Sequence, residues 1–213
     1  MKSDRLPRLY LVTPQVGEAA ALSGARVNLG EAVRAAGIAA VLLRLNETDE
    51  RTMIELAKQI GRPVQEAGAA LIIDGRPDIV ARAGADGAHL AGIEALAAAL
   101  PRLKPNYIAG AGGLHSRHDA MVAGESGADY VMFGEPDRAG LRPSLAAVVE
   151  RVAWWAEIFE IPCVGYAGEP DEIGPLAAAG ADFVAVGAAL FDDPRGLAAA
   201  AAEAGVRLTE PAA

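Results

Sequence analysis

The chain has 213 residues, 52% of them hydrophobic, and 19 Lys and Arg against 28 Asp and Glu give it a net charge of −9. An acidic surface repels nucleic acid. No uncharged apolar stretch nears the roughly 20 residues of a membrane span, and no signal-peptide pattern opens the chain, so no membrane partner and a cytoplasmic location are expected.

Eight short apolar runs, each followed by a helix-like stretch, fill the chain from Arg8 onward. After a polar leader holding Pro7, the first strand is expected at Arg8 to Thr13, closed by Pro14. The second, Ala39 to Arg44, is continuously apolar until its last residue, as expected of a parallel sheet covered by helices. Thr48 or Asp49 then caps a helix through Glu66. The third strand, Ala69 to Asp74, ends in Asp74-Gly75-Arg76-Pro77, with Pro77 suited to a first helical turn. Gly87 to Leu90 is the fourth and carries His89.

Tyr107 to Ala111 makes the fifth strand and runs into Gly112-Gly113-Leu114-His115. The sixth, Tyr130 to Gly134, leads into a loop with Glu135, Arg138 and Arg142. Pro162 to Tyr166 and Phe183 to Gly187 complete the set, and residues from Thr209 form a loose tail. Three of the strands are announced by one phrase: Gly84-Ala85-Asp86, Gly127-Ala128-Asp129 and Gly180-Ala181-Asp182. Each is expected to end a helix at a left-handed Gly and to begin a strand. Eight such units in one domain predict a closed α/β fold, the (β/α)8 TIM barrel, with its working face at the strand C-terminal ends. An open doubly wound sheet uses the same alternation, but no Gly-x-Gly-x-x-Gly opens a first βα turn.

The polar residues at those strand ends are the candidate site. Arg44 closes an apolar strand, so its guanidinium must reach solvent, a carboxylate or a bound anion, and its planar fork fits phosphate. Gly168, Gly187 and Ala188 lie where barrels hold a phosphate on backbone N–H groups. Glu169, beside Gly168, is awkward for a bound dianion unless it turns outward. His115 is placed to move a proton near neutral pH. His115 and His118 are three apart, but neither neighbouring loop adds a further His or Cys, so zinc is not expected. Trp154 and Trp155 are adjacent, so only one can face the barrel squarely. The other could mark a homo-oligomer contact.

Several segments resemble the thiamine phosphate synthase and thiazole tautomerase family of small (β/α)8 barrels. They are Leu9-Tyr10-Leu11-Val12-Thr13, Leu71-Ile72-Ile73-Asp74-Gly75-Arg76, Ala85-Asp86-Gly87-Ala88-His89-Leu90, Ala128-Asp129-Tyr130 and Gly180-Ala181-Asp182-Phe183. The resemblance implies an enzyme of thiamine biosynthesis, joining a hydroxymethylpyrimidine diphosphate to a thiazole phosphate with magnesium, Mg2+, on the diphosphate. Carried over residue by residue, it implies that Arg44 and Arg142 bind the diphosphate and that Asp74 and Glu94 hold the metal. Gly168, Gly187 and Ala188 would cradle the thiazole phosphate. The family's Gln-x-Arg-x-Lys survives here as Leu42, Arg44 and Asn46, its Asn-Asp pair as Asp74-Gly75, and its Ser-x-His as Gly113-Leu114-His115. Two alternatives stay open: tautomerase-type proton transfer by His115, and a diverged barrel that binds a phosphorylated heterocycle without catalysis.

Overall fold

A computed structural model describes residues 6–18, 27–137 and 139–209. The first five residues, residues 19–26, Arg138 and the end of the tail lie outside them. The described strands close into a parallel barrel in chain order: β1 (Arg8–Val16), β2 (Ala40–Leu45), β3 (Ala70–Asp74), β4 (Gly87–Ala91), β5 (Ile108–Gly112), β6 (Tyr130–Phe133), β7 (Cys163–Ala167) and β8 (Phe183–Val186). β1 pairs with β8, which leaves no edge among them. Around them lie α1 (Leu29–Ala36), α2 (Glu50–Glu66), α3 (Val80–Ala83), α4 (Ile93–Leu103), α5 (Arg117–Glu125), α6 (Leu145–Ile158), α7 (Ile173–Ala178), α8 (Ala188–Phe191) and α9 (Leu197–Arg207). None of these helices is long and apolar enough to cross a membrane.

Strand side chains alternate between two cores, as a period of two requires. Leu9, Leu11, Val41, Leu43, Leu71 and Ile73 face outward and pack under the helices. Tyr10, Val12, Leu42, Ile72, Tyr130 and Val164 fill the barrel interior. Counting on by two along each strand sends Arg44, Asp74, His89 and Tyr166 inward, toward the mouth. The barrel's parity therefore gathers the site before any loop is considered.

The first strand differs from expectation. It continues through Pro14 to Val16, and its register with β2 shifts between Val12 and Gln15. Pro lacks a ladder donor, and an irregularity of this kind is where a strand tolerates it. The helix caps follow the sequence: Asp49 accepts from the Thr52 N–H at 3.0 Å, and Ser116 and Asp119 form a capping box before α5. Trp155 is fully buried, while Trp154 is half-buried beneath the Arg117 guanidinium, 4.9 Å from its ring.

The recurring Gly-Ala-Asp phrase is a structural joint. Each Gly has positive φ, 68° at Gly84, 106° at Gly127 and 93° at Gly180, a conformation that costs other residues energy. Each Asp then turns its carboxylate to a backbone N–H near the start of the preceding strand. Asp86 accepts from Leu71 at 2.7 Å, Asp129 from Ala109 at 2.7 Å and Asp182 from Cys163 at 2.8 Å. These bonds pin adjacent strands at the end opposite the mouth.

Candidate active site

Two strands set the first charged pair. The pairing of Leu43 with Ile73 brings their successors, Arg44 and Asp74, side by side, and Arg44 Nε lies 3.5 Å from Asp74 Oδ2. Thr13, buried on β1, accepts the Arg44 backbone N–H at 3.0 Å and fixes the end of β2. Both charged side chains remain about a third exposed, 38% and 32%, so the pair contributes no more than about 1 kcal/mol and opens readily for a better partner.

Deeper in the mouth, His89 is 3% exposed and is the centre of a buried chain of polar groups. Its Nδ1 is 2.9 Å from the Tyr130 hydroxyl, which in turn meets the Tyr10 hydroxyl at 2.8 Å. Its Nε2 faces Glu135, 3.5 Å from Oε1 and 3.3 Å from Oε2. Glu135 Oε1 also accepts the Gly113 N–H at 2.9 Å, whereas Oε2 is buried without a hydrogen bond. Burial works against the imidazolium, yet the adjacent Glu135 carboxylate outweighs it and raises the His89 pKa above its ordinary value. Burial pushes both tyrosine hydroxyls up, so they stay neutral donors and acceptors.

Arg142, in the loop after β6, reaches the turn after β7. Its Nη1 and Nη2 donate to Glu172 Oε1 at 3.1 Å and Oε2 at 2.6 Å. The Gly168 N–H donates to the same Oε2 at 2.7 Å. The carboxylate bonded at this turn is thus Glu172, from the single 3-10 turn Pro170–Glu172, while Glu169 is exposed. Burial opposes ionisation of Glu172, but the bonds from Arg142 and Gly168 prevail and hold its carboxyl below the usual range. Burial raises the pKa of the Tyr166 hydroxyl, with the positive charges of Arg44 and Arg142 working against it.

Glu94 and His115 are both exposed and line a separate pocket of about 290 Å³ with Gly92, Gly113 and Asp119, between the loops after β4 and β5. Gly187 is buried beside the Tyr166 hydroxyl, and Ala188, exposed, begins α8. Arg76, another strand-end cation, is held by Asp78 at 2.9 and 2.6 Å and braces its own turn. Sequence reasoning gathered His89 and Glu135 without giving them a role, and it missed Tyr10, Tyr130 and Glu172. The inward parity of Tyr10 and His89 was the available signal for the first two links of the chain. Nothing local marks Glu172.

Residues 9–190 match the family described as thiamine monophosphate synthase. The chain belongs to that family. It is 38% identical to a thiamine-phosphate synthase of Rhodospirillum centenum, over 92% of this chain and 95% of that one. A thiamine-phosphate synthase of Hyphomonas neptunium is 36% identical, with 91% and 90% covered. Among solved structures, a thiamine phosphate pyrophosphorylase from Pyrococcus furiosus has the same fold, with a TM-score of 0.76 at 24% identity over 94% and 95% of the two chains.

Mg2+ is the metal expected from the sequence. Mg2+ commonly takes one or two protein carboxylates and completes its shell with substrate phosphates and water. Asp74 ends β3, and Glu94 follows the neighbouring β4, where Asp74 is in register with His89. Among the described residues no group of three or more His, Cys, Asp or Glu side chains could hold a metal alone. Asp74, paired with Arg44 at the mouth, and Glu94, exposed in the pocket beside His115, each offer a single carboxylate, and such donors fit Mg2+ only where the substrate supplies further oxygens.

Proposed function

We propose that this chain is a thiamine-phosphate synthase, a transferase that joins a hydroxymethylpyrimidine diphosphate to a thiazole phosphate. The observation that carries the reading is a pair of guanidinium groups at the mouth of a barrel of this family: Arg44 at the end of β2, only weakly paired with Asp74, and Arg142 in the loop after β6, forked onto Glu172. Names shared by relatives at 38% and 36% identity over nearly the whole chain support it.

In the reaction the bond between the pyrimidine methylene carbon and the diphosphate oxygen breaks, and pyrophosphate leaves with the electron pair. The thiazole nitrogen then forms the new bond to that carbon. Arg44, released from its weak pairing with Asp74, binds the diphosphate and offsets the charge that develops on it. Arg142 supplies a second guanidinium to the same group. Mg2+ held by Asp74 and Glu94 with the diphosphate would add further charge neutralisation. Gly187 and Ala188 bind the thiazole phosphate through backbone N–H groups, and the Gly168 N–H, which meets the same Glu172 oxygen as Arg142, lies where the diphosphate and the thiazole phosphate adjoin.

A second reading has one observation in its favour: His115 and Glu94 share an open pocket, an arrangement suited to moving a proton between substrate positions. One assay separates the readings. Purified protein supplied with both synthase substrates and Mg2+ is expected to release thiamine phosphate and pyrophosphate, and Arg44→Ala is expected to abolish the product. Metal-independent isomerisation of a thiazole carboxylate phosphate, lost in His115→Ala, would replace the synthase reading with the tautomerase one. Phosphate-ligand binding without either turnover would leave a diverged, non-catalytic barrel.

A further inference from the structure

We propose that Arg142 and the Gly168 N–H form an anion seat, which the Glu172 carboxylate fills in the free protein and yields to a phosphate or diphosphate oxygen of the substrate. The proposal deepens the synthase reading and rests on it for the substrate class.

The seat has the parts of an anion receptor. A guanidinium gives a bidentate fork to both oxygens of Glu172, and a backbone N–H adds a third bond to Oε2. The guanidinium lies where a Cβ would project from residue 168, so only glycine there lets it approach the turn. Donor capacity also exceeds what the carboxylate uses. Arg142 Nε is buried and has no hydrogen-bond partner. A phosphate group, with more acceptor oxygens than a carboxylate, can use the donor that Glu172 leaves idle.

The occupant is able to leave. Glu172 ends a single 3-10 turn whose other residues include the exposed Asp171, and its side chain is not enclosed, at 15% exposure. Rotation about its side-chain bonds takes the carboxylate to solvent without unfolding α7. A dianion cannot share the seat with Glu172, because like charges at contact distance repel. Glu172 therefore sets how tightly this turn takes phosphate, and every phosphate that binds must first displace it.

The test is calorimetric titration of the full chain with inorganic pyrophosphate. Glu172→Gln, which keeps the shape and removes the charge, is expected to bind about tenfold more tightly than wild type, and Arg142→Gln about tenfold more weakly. Equal or weaker binding by a natively folded Glu172→Gln overturns the seat. Should that variant fail to fold, Glu172→Asp, whose shorter side chain draws the charge back from Arg142, must show tightening instead, and its absence overturns the proposal. Turnover is scored separately. Binding indifferent to Glu172→Gln in an enzyme that makes thiamine phosphate removes the seat alone. Tighter binding by Glu172→Gln in a protein that makes none supports the seat and removes the synthase reading.

Discussion

His89 and Glu135 are 46 residues apart in the chain and meet in the barrel mouth, with Nε2 3.3 Å from Oε2. The pair ties β4 to the loop after β6. Through the Gly113 N–H, Glu135 also holds the segment that leads to His115.

This pairing makes the fold's stability depend on pH. The His89 pKa is raised in the folded protein, so its contribution is fully present below the ordinary histidine value of about 6.5 and is lost as pH rises through the higher folded value. The thermal unfolding midpoint of the wild type is expected to fall across that window. Glu135→Gln should flatten the dependence. A variant that keeps the wild-type profile would show that Glu135 does not set the His89 pKa.

Gly112 is the residue that makes room for the pair. A Cβ there would collide with the Glu135 carboxylate and with His89 Nε2, whose withdrawal would break the bonds to the Gly113 N–H and the Tyr130 hydroxyl. Gly112→Ala is expected to destabilise the protein by about 1–3 kcal/mol, the usual range for overpacking. Chemical denaturation measures it, and an unchanged midpoint would mean that Glu135 simply moves aside.

The aspartates of the repeated joint should matter for stability and little for turnover. Asp86→Ala, Asp129→Ala or Asp182→Ala each removes the acceptor of a strand N–H, a loss of about 1–3 kcal/mol. Denaturation midpoints should drop while KM stays near wild type. A large change in KM at constant stability would place these residues in the site instead.

Metal binding should be coupled to diphosphate. Because Asp74 and Glu94 belong to no larger acidic cluster among the described residues, Mg2+ alone is expected to bind weakly and to bind measurably tighter once pyrophosphate is present. Asp74→Asn should remove the enhancement. Calorimetry with and without pyrophosphate reads both, and tight binding of Mg2+ to the free protein would contradict this account of the metal.

The closed barrel was legible in the sequence because its cause is local. Eight apolar runs, their turn residues and the Gly-Ala-Asp joint each mark one βα unit by local periodicity and turn chemistry, and because every strand must find its hydrogen bonds in a neighbour, repetition of that unit leaves closure as the way to pair every strand. Period-two alternation likewise commits Arg44, Asp74 and His89 to one face of their strands, wherever those strands end up. Which charge answers which was decided only in three dimensions. Arg142 meets Glu172 across 30 residues and His89 meets Glu135 across 46, through loops whose paths no local propensity prescribes. Ionic contacts carry no periodicity, so their partners emerge only once the strands have closed and the loops have converged.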